Sequence, residues 1–122
     1  MHYHTGEIMK INKELLKGTT GLVVLTVISE QDMYGYQITQ TVKARSESAL
    51  VLNEGTLYPI LHSYEKNGYL ESYKNEGDSG RERKYYRITP KGNLYLQAHI
   101  KEWKLFTSVM DKLLTGGASN EG

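Results

Sequence analysis

The stretch from Asn53 to Gly92, NEGTLYPILHSYEKNGYLESYKNEGDSGRERKYYRITPKG, constrains this chain more than any other. Asn53 is a good helix N-cap, and Glu54 in the first turn complements the helix dipole. Leu57, Ile60, Leu61 and Tyr64 form an inward stripe at helical spacing, and Gly68 supplies a C-terminal stop. Pro59 removes one backbone bond and predicts a bend in the first turn. Leu70–Glu76 and Arg83–Thr89 have the aromatic and β-branched character of strands, joined by a turn at Gly77-Asp78-Ser79-Gly80. The order is therefore a helix and then a β-hairpin with cations at its tip. A winged helix-turn-helix presents itself to duplex DNA in this way, with the helix in the major groove and the hairpin on the neighbouring backbone or minor groove.

Charge supports the same reading. The net charge is only +1, which argues against an indiscriminate nucleic-acid binder. Its distribution is uneven: Arg81, Arg83, Lys84, Arg87 and Lys91 face Glu82 alone, so positive charge concentrates on the hairpin, where phosphates would need it. The plain alternative is a solvated strand pair that uses Lys and Arg for solubility.

Elsewhere the pattern is mainly helical. Leu15, Leu16, Leu22, Val23, Leu25, Val27 and Ile28 predict a helix from Asn12 to about Glu30, in which Gly18 and Gly21 suggest close approach by another helix. A short polar turn, Glu30–Met33, leads to a second helix from about Tyr34-Gly35 to Arg45, with Ile38 and Val42 on one face. Ala49–Leu52 is a candidate third strand or a buried linker. Thr89-Pro90 reads as N-cap and first residue of a long last helix ending near Leu114. On that helix Leu96, His99, Trp103, Phe106, Met110 and Leu113 repeat at a/d spacing, a seam suited to another helix. A domain of this size has no obvious internal partner for it, so homodimerisation, joined by Leu15 and Leu22 of the first helix, is the simplest way to bury it. The alternative is that the stripe packs only on its own domain.

The expected fold class is α+β, mainly α: a winged helix-turn-helix with one long C-terminal dimerisation helix. Residues 1–9 are expected to be a flexible leader, 10–92 the DNA-binding domain, 93–115 the dimerisation helix and 116–122 a disordered tail. At 122 residues the chain suits a single domain with a modest core, and 39% hydrophobic content hints at a partner subunit that completes it. The absence of cysteine excludes disulfides and thiolate metal sites. His2 and His4 could hold a metal adventitiously but have no further ligands nearby. With no apolar run long enough for a bilayer and no signal peptide, a cytoplasmic protein is expected, nucleoid-associated when bound to DNA.

The exposed face of the Asn53–Lys66 helix offers Glu54, Thr56, Tyr58, His62 and Lys66. Hydroxyls of Thr56 and Tyr58 can bond base edges or phosphates, and Gly55 allows close backbone approach. No Arg, Asn or Gln on this face can read a base with two hydrogen bonds, so shape and backbone contacts should carry much of the specificity. An enzyme is disfavoured: no nucleophile–base pair, metal cluster or phosphate-cradling glycine motif is present, and no cofactor is implied. A winged-helix protein-interaction module that no longer binds DNA is the competing class.

Three motifs in order make the resemblance to a family specific. Gly55-Thr56-Leu57-Tyr58-Pro59-Ile60-Leu61 with Glu65-Lys66-Asn67-Gly68-Tyr69-Leu70 resembles the signature of PadR-type transcriptional regulators. Gly80–Gly92 resembles that family's wing and exit helix, and Tyr34-Gly35-Tyr36-Gln37-Ile38 resembles the start of its second helix. The resemblance implies a homodimeric bacterial repressor that binds an inverted-repeat operator. It implies DNA contacts from Tyr36, Gln37, Asn53, Glu54, Gly55, Thr56, Tyr58, Pro59 and His62. On the wing it implies contacts from Arg81, Arg83, Lys84 and Tyr86. With one helix after the wing, the chain is similar to the short, LmrR-like branch (subfamily 2), in which an aromatic ligand can lie between two tryptophans at the dimer centre. Trp103, flanked by His99 and Phe106, would take that place for an aromatic or cationic inducer, or would serve only as an interface anchor. Where the family's wing often has Pro between its arginines, this chain has Glu82.

Overall fold

The computed structural model describes residues 11–12 and 18–116; the expected leader, His2, His4, Leu15 and the tail beyond Gly116 lie outside the described residues. Helix α1 (Thr20–Glu30) is followed by a two-residue strand β1 (Met33–Tyr34), α2 (Gly35–Arg45), α3 (Glu54–Lys66), β2 (Leu70–Asn75), a 3-10 turn (Gly77–Ser79), β3 (Arg83–Ile88) and α4 (Pro90–Leu114). The helical and hairpin elements fall close to where the side-chain pattern places them. This is the winged helix-turn-helix with a long final helix.

The local chemistry explains the boundaries. Asn53 Oδ1 accepts from the Thr56 amide at 2.9 Å, and Thr89 Oγ1 accepts from the Gly92 amide at 2.9 Å, so both predicted N-caps are made. At the other end of α3, Gly68 has φ +82. Its amide donates to Glu65 and that of Tyr69 to Tyr64, which closes the helix in a Schellman motif. Pro59 lies within α3, and the helix continues past it to Lys66.

Three expectations are corrected or narrowed. The first helix does not run unbroken from Asn12: Gly18 has φ +89, outside the helical region, and α1 starts at Thr20. Of the two forms expected for Ala49–Leu52, the strand is not made; Leu52 is a buried link, held in a loop where Glu47 and Ser48 have positive φ. The third strand is Met33–Tyr34, where the end of a turn at Met33 and the start of a helix near Tyr34 are expected. It pairs antiparallel with β3, Met33 opposite Tyr86 and Tyr34 opposite Tyr85, so the sheet order is β1-β3-β2. Two residues are too few to show a strand's alternation, and only the distant partner reveals them.

Sheet register sorts the hairpin's side chains by face. Met33, Leu70 and Tyr86 turn inward and join Val24, Leu25, Ile28, Ile38, Leu57, Leu61 and Leu96 in one core between sheet and helices. Arg83, Tyr85 and Arg87 share the outer face, where Tyr34 and Tyr73 flank Tyr85 in the register. Close backbone contact fixes the final helix onto this unit. A Cβ added at Gly92 would lie 2.1 Å from the Tyr69 carbonyl oxygen, so only glycine fits. Gly21 is similarly covered, here by the Tyr64 hydroxyl of the same chain.

Candidate nucleic-acid interface

Where α3 begins, α2 begins and the wing folds back, a groove of about 570 Å³ opens, lined by Tyr34, Gly35, Tyr36, Glu54, Tyr58, Arg81, Glu82, Arg83, Lys84 and Tyr86. Most of the DNA-contact candidates therefore meet in space although they come from three elements. Tyr36 is 60% exposed and Tyr58 44% exposed, both unusually open for large aromatic rings. Asn53, Glu54, Gly55, Thr56, Pro59 and His62 are exposed along α3. Tyr58 is held from one side: its hydroxyl lies over Gly35, where an added Cβ would come within 2.3 Å. Burial, then the charge of Glu54, then Tyr86 push the Tyr58 phenol above its ordinary value, so the hydroxyl stays protonated and able to donate.

The wing's cations fall into two groups. Arg87 lies on the outer sheet face, with Nη2 2.7 Å from Glu71 and Nη1 4.0 Å from Asp32. The hydrogen bond to Glu71 raises its pKa further. Lys84 lies 3.7 Å from Glu65. Arg81 and Arg83 make no ion pair among the described residues. Arg83 donates to Ser79 Oγ at 3.1 Å, and its guanidinium carbon sits 4.4 Å from the centre of the Tyr34 ring. These two arginines, at the wing's far end, are the cations best placed to meet phosphate.

Two of the candidates are held within the fold. Tyr86 is 5% exposed and belongs to the core, because strand alternation turns it inward, so it lines the floor of the groove rather than its rim. Gln37 is half-buried, and its Oε1 accepts from the Tyr34 amide at 3.2 Å, so its carbonyl is engaged in capping α2. The groove also contains Tyr34 and Gly35, which the sequence places in a family motif without a contact role. The Tyr-Gly-Tyr run was visible, but their place depends on the β1–β3 pairing.

Away from this groove, along the last helix, the α4 stripe divides. Leu96, expected at a dimer seam, is 1% exposed and part of this chain's own core, as its position one turn after the Gly92 contact requires. Beyond it the stripe is open: Trp103, Phe106, Val109 and Leu113 are all exposed, and Met110 is half-buried. Trp103 and Phe106 rings are 5.8 Å apart, and His99 leans on Tyr95 at 4.5 Å. Leu22 joins His99, Glu102, Trp103 and Phe106 around a small cleft of about 170 Å³. Among the described residues no group of three or more His, Cys, Asp or Glu side chains could hold a metal, and no helix is long and apolar enough to cross a membrane.

Comparison with known proteins agrees with this architecture. Residues 24–98 match the model of the "Transcriptional regulator PadR-like family". The transcriptional regulator Rv3488 of Mycobacterium tuberculosis is 33% identical over 84 residues, which is 69% of this chain and 75% of that protein. A solved transcriptional regulator from Clostridium thermocellum superposes with a TM-score of 0.74 at 35% identity, covering 81% of this chain and 96% of its own. A PadR family transcription regulator from Clostridium difficile gives 0.69 at 34% identity, with 80% and 99% covered. These relatives are regulators of transcription rather than enzymes. From the capped recognition helix through the cationic wing to the exit helix, this chain belongs to the PadR-like family of transcriptional regulators.

Proposed function

We propose that the protein is a homodimeric repressor of the short, LmrR-like branch that binds an inverted-repeat operator. The observation that carries this reading is the groove where the first turn of α3, the start of α2 and the wing converge. Tyr36 and Tyr58 stand beside Arg81 and Arg83 there, and neither arginine makes an ion pair among the described residues, while Thr56 is exposed in the same first turn of α3. Hydroxyls and arginines in that arrangement suit phosphate positioning with modest base reading. Pairing would proceed through Leu22, Trp103, Phe106, Met110 and Leu113. The cleft at Trp103 supports an inducer that is aromatic and cationic, since Glu102 lies beside its rings.

The test is a fluorescence-anisotropy titration with duplex from the protein's own promoter region, against a scrambled duplex, at several salt concentrations. Binding well above that of the scrambled duplex is expected, with the log–log salt slope falling by about 1 for each phosphate-contacting arginine removed. Equal, weak binding to both duplexes would instead favour a winged-helix module that contacts another protein.

A further inference from the structure

Tyr34 lies outside both α3 and the Leu70–Ile88 hairpin, yet it touches the start of α2 and the wing. Its amide is held by Gln37 at the start of α2, and its backbone pairs with Tyr85 of β3. Its ring packs edge-on against Tyr85, with centroids 5.4 Å apart, and the guanidinium of Arg83 rests 4.4 Å above it. Ser79, in the 3-10 turn of the wing, accepts from Arg83 Nη1 at 3.1 Å and also from the Arg81 amide at 3.2 Å.

The chemistry of this cradle differs from that around Arg87. A carboxylate such as Glu71 neutralises the cation it holds. A tyrosine ring attracts a guanidinium through its quadrupole and leaves the charge in place. A serine oxygen occupies one N–H and leaves the rest of the donor fork available. Arg83 is thus fixed in direction while remaining charged and open to an anion. A long side chain ordered in advance loses less freedom when its partner arrives.

We propose that Tyr34, with Ser79, is a positioning residue that pre-orients Arg83 towards a backbone phosphate of the bound duplex. The proposal rests on the DNA-binding reading above. Tyr34 also ties the wing's cation to the start of α2, so that both reach the duplex in one fixed geometry.

The test is a double-mutant cycle on the full chain, read by anisotropy against the promoter duplex across salt. Tyr34→Leu should weaken binding about three- to fivefold, the effect of losing one partly exposed cation–π contact, while Tyr34→Phe stays within about twofold. Arg83→Ala should lower the salt slope by about 1, and in that background Tyr34→Leu should cost nothing further. Should Tyr34→Leu unfold, Ser79→Ala serves in its place: exposed and in a turn, it should weaken binding about twofold with Arg83 present and not without it. The proposal is overturned by wild-type affinity in Tyr34→Leu or, if that variant unfolds, in Ser79→Ala. It is equally overturned by the same loss with and without Arg83, or by an Arg83→Ala slope equal to wild type. A wild-type protein that binds no duplex at all would fail at the earlier step and remove both readings together.

Discussion

Replacing Gly35 with alanine should disable DNA reading without disturbing the fold. The new methyl would sit 2.3 Å from the Tyr58 hydroxyl oxygen and 3.0 Å from Cζ, far inside contact distance. The obstructing atoms are the far end of a side chain that is 44% exposed, so the ring has room to swing into the groove. Alanine also favours the helix by up to about 1 kcal/mol over glycine, which offsets the lost packing, so stability should change by less than about 1 kcal/mol. For a domain of this size that corresponds to a melting shift within about 4 °C. Binding should suffer more. A displaced Tyr58 forfeits one hydroxyl contact and its ring contact with the duplex, together about 1–2 kcal/mol, or about 5- to 30-fold in Kd. Anisotropy with promoter duplex should then give Gly35→Ala and Tyr58→Ala similar losses, and the double variant no more than Tyr58→Ala alone. A folded Gly35→Ala protein with wild-type affinity, or losses that add, would refute the idea that Gly35 acts through Tyr58.

Gly92→Ala meets backbone and should behave oppositely: with the Tyr69 carbonyl 2.1 Å and Ile88 Cγ1 2.8 Å from the new Cβ, it should destabilise by about 2–3 kcal/mol. Calorimetry should show melting about 10 °C lower, and a drop below about 3 °C would mean the contact relaxes. Phe106→Asp combined with Leu113→Asp should give a helical monomer by sedimentation; persistence of a dimer would remove the α4 seam as its interface. Trp103 is the only tryptophan, so its fluorescence should be quenched by planar cationic dyes at micromolar levels, and an unresponsive Trp103 would end the inducer hypothesis. Burial, then Tyr95 and Tyr69, push the Tyr64 phenol from 10.0 to about 12. The fold favours its neutral form, so this contribution is fully present below pH 10 and lost as pH rises towards 12. Tyr64→Phe should therefore flatten the alkaline loss of stability, and an unchanged alkaline limb would show that Tyr64 does not drive it.

Features governed by neighbours in the chain were legible in the sequence. Asn53, Thr89 and Gly68 announce helix ends through local hydrogen bonds and Pro90 through its fixed backbone angle, and the hairpin shows in its aromatic residues and glycine turn. Features that depend on distant pairing were not. The strand at Met33–Tyr34 exists only because β3 lies beside it, and without it the place of Tyr34 under Arg83 cannot be guessed. A run of charged and aromatic residues does not reveal which face of the Arg83–Ile88 strand is inward; burial in the assembled core decides it for Tyr86. Leu96 fell on a heptad seam by spacing alone, whereas the first turns of α4 are committed to the chain's own core and only the later turns are free.

The last helix can be considered as a stem that carries the reader at one end. Its 25 residues span about 37 Å, and its base is locked to the sheet where Gly92 meets Tyr69. Head and stem must therefore swing as one solid piece. In a pair joined along the outer half of these stems, a relative tilt of about 10° would carry each head about 6 Å, set against half-sites about 34 Å apart. A molecule wedged near Trp103 would need only to change the angle between two levers for one head to lose its place on the duplex, with no residue at the reading face altered.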